Sequence, residues 1–339
     1  MKMRRERHWI SLVLSGALLV FVAALLAVTV ALVRTKLLKN AQDFGMALVQ
    51  SYAIEETMNI ENLKTSVRIA SQYVDEIVKD GGDPGQVQQW LAGYFRKMAE
   101  TGAFTVLETG EDLEKLGDKQ GTAFILTVEG GSAVAGDLKN IHYLRENGVR
   151  VMTLTWNGSN EIGSGVMSGD KFGLTPFGKL AVKEMEKEGI VIDVSHASEA
   201  LFYDVAENTE RPFIATHSNS KVLCKHPRNL TDDQFRIICN RGGLVGLNYF
   251  KAFLNDDPAK ADIEDLFAHA EHFLSLGGAD VIAMGSDFDG SDMPHGITGL
   301  ESVEDIANVF LRHNLPEALV DKIFFENAAS FFKRFDRNA

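Results

Sequence analysis

Six short apolar runs, each followed by a segment that reads as a helix or a turn, constrain this chain more than any other feature. They are "AFILTVE" (123–129), "RVMTLTW" (150–156), "IVIDVSH" (190–196), "PFIATHS" (212–218), "GLVGLNY" (243–249) and "VIAMGSDF" (281–288). Between them lie helical segments such as "TPFGKLAVKEMEKEG" and "SEALFYDVAEN". Strands this apolar are buried on both faces, so the alternation predicts a parallel sheet covered by helices, an α/β domain beginning near residue 104. The βα unit is the only repetition; there is no low-complexity tract and no short-period solenoid repeat.

In such sheets, function gathers at the carboxyl ends of the strands. Glu129, Trp156, His196, His217 and Asp287 all fall there, each closing a strand and opening a turn. Any one of them alone is an ordinary strand end. Five together are harder to dismiss, because a barrel brings them to one rim. A carboxylate and two imidazoles make a normal ligand set for a catalytic zinc with a position left for water. Asp287, in "GSDFDG", then suits a general acid or base. Asp289 suits a turn or an outer position, and Asp193 and Ser195 either orient the imidazole beside them or are structural. In "KHPRNLTDDQ" (225–234), Arg228 has two readings. Its guanidinium clamps a substrate carboxylate, or Thr231 caps the next helix and Arg228 is solvated. Spacing does not choose between them.

The N-terminus follows a different logic. After Lys2, Arg4, Arg5 and Arg7, residues 9–33 carry no charge. About 25 helical residues span roughly 37 Å, more than the hydrocarbon core of a bilayer. A signal peptide ending near Thr29-Val30-Ala31 is the rival, although its apolar region is normally about 7–15 residues. An uncleaved anchor is the expectation. Basic residues flank both ends, which leaves a mild preference for an extracytoplasmic C-terminal domain. From residue 37 to about 103, Ile60, Leu63, Val67, Ala70, Val74 and Ile77 mark an amphipathic helix. "KDGGDPG" (79–85) ends it before another helix begins. This stretch reads equally as a sensor-like segment or a spacer. The expected divisions are therefore 1–36, 37–103 and 104–339.

A net charge of −13 argues against a nucleic-acid partner, which needs a basic face. Cys224 and Cys239 are too few for a disulfide framework, though one bridge stays open.

Taken together, "ILTVEGG", "NGVRVMTLTWN", "GLTPFGK", "GIVIDVSHASEALFYDV", "PFIATHSNSKVLCKHPRNLTDDQ", "GGLVGLNYF" and "IAMGSDFDG" resemble the membrane (renal-type) dipeptidase family of metallopeptidases, in that family's order. The resemblance implies a (β/α)8 barrel of TIM type, two zinc ions bridged by a glutamate and a water, dipeptide substrates and often a homodimer. It implies that Glu129 is the bridging carboxylate and that His196 and His217 bind the second metal. Arg228 would hold the substrate carboxylate, and Asp287 would be the acid/base near the scissile bond. Trp156 would line the substrate site, where many relatives carry a histidine. The family also uses a His-x-Asp pair on its first strand, and none of the nine histidines here is followed two positions on by Asp. With six strands recognisable, the barrel is expected to lack its first two βα units. Two function classes follow: a zinc-dependent dipeptidase impaired by missing ligands, or a membrane-anchored, catalytically silent peptide-binding or sensor protein.

Overall fold

The computed structural model describes residues 105–116, 123–169, 171–288 and 290–337. The expected anchor (9–33), the helical segment (37–103) and Asp289 lie outside these residues. Among the described residues no helix is long and apolar enough to cross a membrane.

All six expected strands form, in one parallel sheet whose spatial order follows the sequence. They are β3 (Leu126–Glu129), β4 (Val149–Thr153), β5 (Val191–Asp193), β6 (Ile214–Ala215), β7 (Leu244–Leu247) and β8 (Ile282–Met284). The first run begins earlier, as β2 (Ala123–Phe124), and passes through Ile125 into β3. A short strand that the apolar pattern does not reveal, β1 (Thr105–Val106), pairs in parallel with β2. The observed strands stop short of the expected ends. Trp156, His196, His217 and Asp287 follow their strands as loop residues; the His196 carbonyl, for one, accepts from Val166 N of a loop rather than from a neighbouring strand. This is a correction of extent, not of order.

Helices connect or follow the strands, among them α1 (Gly110–Leu116), α2 (Lys139–Glu146), α6 (Lys251–Leu254), α8 (Val303–Arg312) and α9 (Glu317–Asp321), and four others begin where their N-caps dictate. Thr175 caps α3 (Pro176–Glu188) by accepting from Gly178 N, with Pro176 at its first turn. Ser198 caps α4 (Glu199–Asn208) through Leu201 N. Thr231 and Gln234 form a reciprocal capping box on α5 (Asp232–Asn240), as the spacing anticipates. Asp262 and Asp265 do the same for α7 (Ile263–Ser275).

The two-residue period of the strands sorts their side chains into two layers. Val128, Met152, Ile192, Ala215, Val245 and Ile282 pack with the surrounding helices in the larger core. Ile125, Val151, Val191, Ile214, Leu244 and Ala283 form a second cluster on the other face. There they meet Phe331, Phe332 and Phe335 of the C-terminal helix α10 (Asn327–Arg337). That helix is tied in place by Asp336, which accepts from Gly110 N and pairs with Arg150. The second face is thus apolar at its amino end. One step along the same side chains it turns polar, at Glu129, Thr153, Asp193 and Thr216. Gly246 and Gly285 let β7 and β8 close on this polar end, since a Cβ on either would run into the Thr216 carbonyl oxygen. Both cysteines are free.

Candidate metal centre

Glu129 ends β3, while His196 and His217 lie just beyond β5 and β6. Parallel pairing in register brings the three to one point. Glu129 Oε1 stands 2.9 Å from His196 Nε2 and 3.3 Å from His217 Nε2. The two Nε2 atoms are 3.0 Å apart. Among the described residues this is the one group of three His, Cys, Asp or Glu side chains close enough to share an ion.

The remaining ring nitrogens are both engaged. His196 Nδ1 lies 2.9 Å from Asn157 Oδ1, and His217 Nδ1 lies 2.7 Å from Thr216 Oγ1. Thr216 Oγ1 in turn donates to Asp193 Oδ2 at 2.6 Å. Asp193, fully buried, also accepts from Thr153 Oγ1, Ser195 N and Thr216 N. Its reach is toward His217 on the neighbouring strand, not toward His196 on its own.

Electrostatics in the pocket follow from three acceptor atoms meeting on largely buried side chains. Burial alone would raise the Glu129 carboxyl, but hydrogen bonds and charge from both imidazoles hold it far below the usual carboxylate range. Burial and the nearby Arg228 charge push His196 down to about 3. Burial opposes protonation of His217 too, yet the hydrogen bond to Glu129 and the charge of Asp287 outweigh it and raise its pKa. Room exists for one positive charge between the rings. Two imidazole nitrogens and a carboxylate oxygen converging this closely fit a borderline-soft divalent cation such as zinc.

Two residues at the rim have left-handed backbone, His196 at φ 66° and Asp287 at φ 58°. Such conformations are uncommon for side-chain-bearing residues and collect where function holds them. Asp287 Oδ2 accepts from Asn248 Nδ2 at 3.1 Å, and the carboxylate lies outside the three-residue ligand group. The Trp156 ring sits 5.9 Å from the His196 ring, tilted by 32°.

Arg228 is 4% exposed, which rules out the solvated reading even though Thr231 does cap its helix. Its Nη2 donates to the His217 carbonyl at 3.3 Å, and its guanidinium lies over the Phe253 ring at 5.3 Å. Among the described residues its buried Nε has no partner. Burial lowers its pKa to about 10, against the pull of Glu129, Asp287 and Asp193.

A family model for membrane dipeptidases (peptidase family M19) matches residues 36–339. The chain belongs to that family. The match starts just after the uncharged N-terminal stretch, and it takes in residues 37–103 as well as the sheet. An uncharacterised protein in the pqqA 5' region of Klebsiella pneumoniae is 32% identical over 257 residues, 73% of this chain and 95% of its own length. Dipeptidase AC, a metallopeptidase of the same family, superposes with a TM-score of 0.70 at 30% identity. That alignment covers 75% of this chain and 78% of the other. A metallopeptidase from Rhodobacter sphaeroides, liganded with a phosphinate mimic of the dipeptide L-Ala-D-Ala, also gives 0.70 at 30% identity. It covers 74% of this chain and 75% of its own. These family members place the chain among metallodipeptidase hydrolases, and its α/β fold with a six-stranded parallel sheet is consistent with the family's barrel.

Sequence reasoning missed Asn157 and Thr216 as participants in the site. Asn157 sits in "WNGSN" and reads as a turn residue; Thr216 reads as one more β-branched strand residue. The one available signal was the adjacency of Thr216 to His217, which is too common to carry weight.

Proposed function

We propose that this chain hydrolyses dipeptides with one zinc ion held by Glu129, His196 and His217. The observation that carries the reading is the convergence of two imidazole Nε2 atoms and one carboxylate oxygen, each within 3.3 Å of the others. Zinc in such a site supplies a Lewis acid for the scissile carbonyl and lowers the pKa of its water toward neutrality. Arg228 binds the substrate's terminal carboxylate, for which its desolvated guanidinium and its Nε, unpartnered among the described residues, are suited. Asp287, held through Oδ2 by Asn248, uses Oδ1 to take a proton from the attacking water and return it to the leaving amine. Trp156 walls the pocket beside His196 and keeps bulk water from that side. The phosphinate mimic bound by the Rhodobacter relative supports an L-Ala-D-Ala-like substrate.

The test is hydrolysis of L-Ala-D-Ala by the zinc-loaded full-length chain, with metal content measured in parallel. Turnover that disappears in Glu129→Ala, His196→Ala and His217→Ala supports the reading; turnover unchanged in all three sinks it. The silent peptide-binding alternative draws on the lack of any His-x-Asp pair. It predicts saturable dipeptide binding without hydrolysis in the same experiment. Residues 9–33 support single-pass anchoring with the catalytic domain outside the cytoplasm. Protease accessibility on intact spheroplasts tests that placement.

A further inference from the structure

We infer that Asn157 and the Asp193–Thr216 pair are positioning residues. They lock both imidazoles in the Nδ1–H tautomer, so that both Nε2 lone pairs face one point beside Glu129. The inference rests on the proposed metal site and adds what sets its ligand geometry.

The argument counts hydrogens. Asp193 accepts four hydrogen bonds, two on each oxygen: Ser195 N and Thr216 N on Oδ1, Thr153 Oγ1 and Thr216 Oγ1 on Oδ2. Those donors fill the four lone-pair sites of a carboxylate. The single hydroxyl proton of Thr216 is therefore committed to Asp193, at 2.6 Å. What Thr216 offers His217 at 2.7 Å is a lone pair, which only an Nδ1–H can satisfy. The opposite tautomer would turn the hydroxyl proton toward His217 and leave a fully buried carboxylate oxygen short of a donor. Burial makes that costly.

His196 reaches the same state by a separate route. Its Nδ1 faces the amide oxygen of Asn157 at 2.9 Å, and an amide oxygen only accepts. Asn157 belongs to a different loop from Thr216. That loop is pinned over the site by Val166 N to His196 O at 2.7 Å and Met167 N to Asn157 O at 3.0 Å. Two unrelated segments thus impose one tautomer on two rings. Satisfying buried polar groups would not require that agreement. Presenting two lone pairs to one cation does.

The test measures zinc affinity of the full-length chain by competition with a chromophoric chelator. Nitrogen-15 NMR of the histidines reports the tautomer in the metal-free protein. Thr216→Val and Asn157→Leu are each expected to weaken zinc binding about 10–100-fold. Thr216→Ser and Asn157→Asp keep an acceptor at the same place and should stay within about threefold of the parent. The Nδ1–H signal should weaken for His217 in Thr216→Val and for His196 in Asn157→Leu. Asn157 lies on a loop, so it carries the test if Thr216→Val perturbs the fold. Affinity unchanged in Thr216→Val and Asn157→Leu, with loss in His217→Ala, overturns this inference alone. Affinity unchanged in His217→Ala overturns the metal site itself and the inference with it.

Discussion

The Nε2 atoms of His196 and His217 stand 3.0 Å apart, with a Glu129 oxygen within 3.3 Å of both. Three lone-pair-bearing atoms at that spacing repel one another unless a proton or a metal ion sits between them. His217, whose pKa is raised by Glu129 and Asp287, can place a proton there, and a divalent cation fits the same three atoms.

Metal content should follow directly from that geometry. After zinc loading and desalting, elemental analysis should find about one bound ion per chain. His217→Ala and Glu129→Gln should each bring this close to zero and abolish peptide hydrolysis. Full retention of the ion by both variants would place the metal elsewhere.

Arg228 makes a prediction about which end of the substrate is recognised. A hydrogen bond to a charged group contributes about 1.5–3 kcal/mol, so Arg228→Met should lower kcat/KM roughly 10–100-fold. The parent should discriminate against a dipeptide amide, which lacks the terminal carboxylate, and the variant should not. Equal loss on both substrates would show that Arg228 acts by packing against Phe253 rather than by clamping a carboxylate.

Asp287 is held by Asn248 outside the ligand group, so chemistry and metal binding should separate there. Asp287→Asn should keep its zinc while kcat falls about 10²–10⁴-fold, the usual worth of a general acid/base. Loss of metal in this variant would reassign Asp287 as a ligand.

His269 on α7 offers a pH test at a ring outside the candidate ligand group. The buried ring accepts from Ser220 N at 3.1 Å and donates through Nε2 to Leu254 O at 3.0 Å. Burial is the main cause that pushes its pKa down to about 4. Below the unfolded value of about 6.5 the unfolded chain takes up a proton that the native chain refuses. The stabilisation is complete above about pH 6.5 and is lost as pH falls toward 4, on the order of 3 kcal/mol in all. Urea midpoints across this window should fall more steeply for the parent than for His269→Gln. Parallel curves would show that the ring is not held neutral.

Phe331 tests whether the C-terminal helix holds the second face of the sheet. Its ring is 1% exposed and packs in the cluster with Val151, Val191 and Ile214. Phe331→Ala should cost about 3–5 kcal/mol by leaving a cavity, read as a lowered denaturation midpoint. A change under about 1 kcal/mol would mean that the helix is a loose cover.

Much of the candidate site was legible because strand direction is. Runs such as "IVIDVSH" announce a buried strand, and parallel pairing in sequence order carries their ends to one rim. Glu129, His196 and His217 were therefore nameable before their distances were. Asn157 and Thr216 were not, because a turn asparagine and a strand threonine have the same local pattern whether or not they hold a histidine. Arg228 was ambiguous for a related reason. The Thr231 cap of the next helix, part of one of its two readings, is a local matter and forms, while the burial of Arg228 depends on Phe253 and the His217 loop, which reach it only in the folded chain.

The amino-acid sequence by itself determined the α/β alternation, the place of the six strands along the chain and the residues that follow them, since apolar runs and turn chemistry act over a few neighbours. Tertiary structure alone decided which ring nitrogens face Glu129, that His196 and Asp287 adopt left-handed backbone, and that α10 lays three phenylalanines on the second face of the sheet. Those outcomes depend on pairs far apart in the chain, such as His196 with Asn157, 39 residues away. Only the register of packed strands and the loops above them brings such partners within hydrogen-bonding distance.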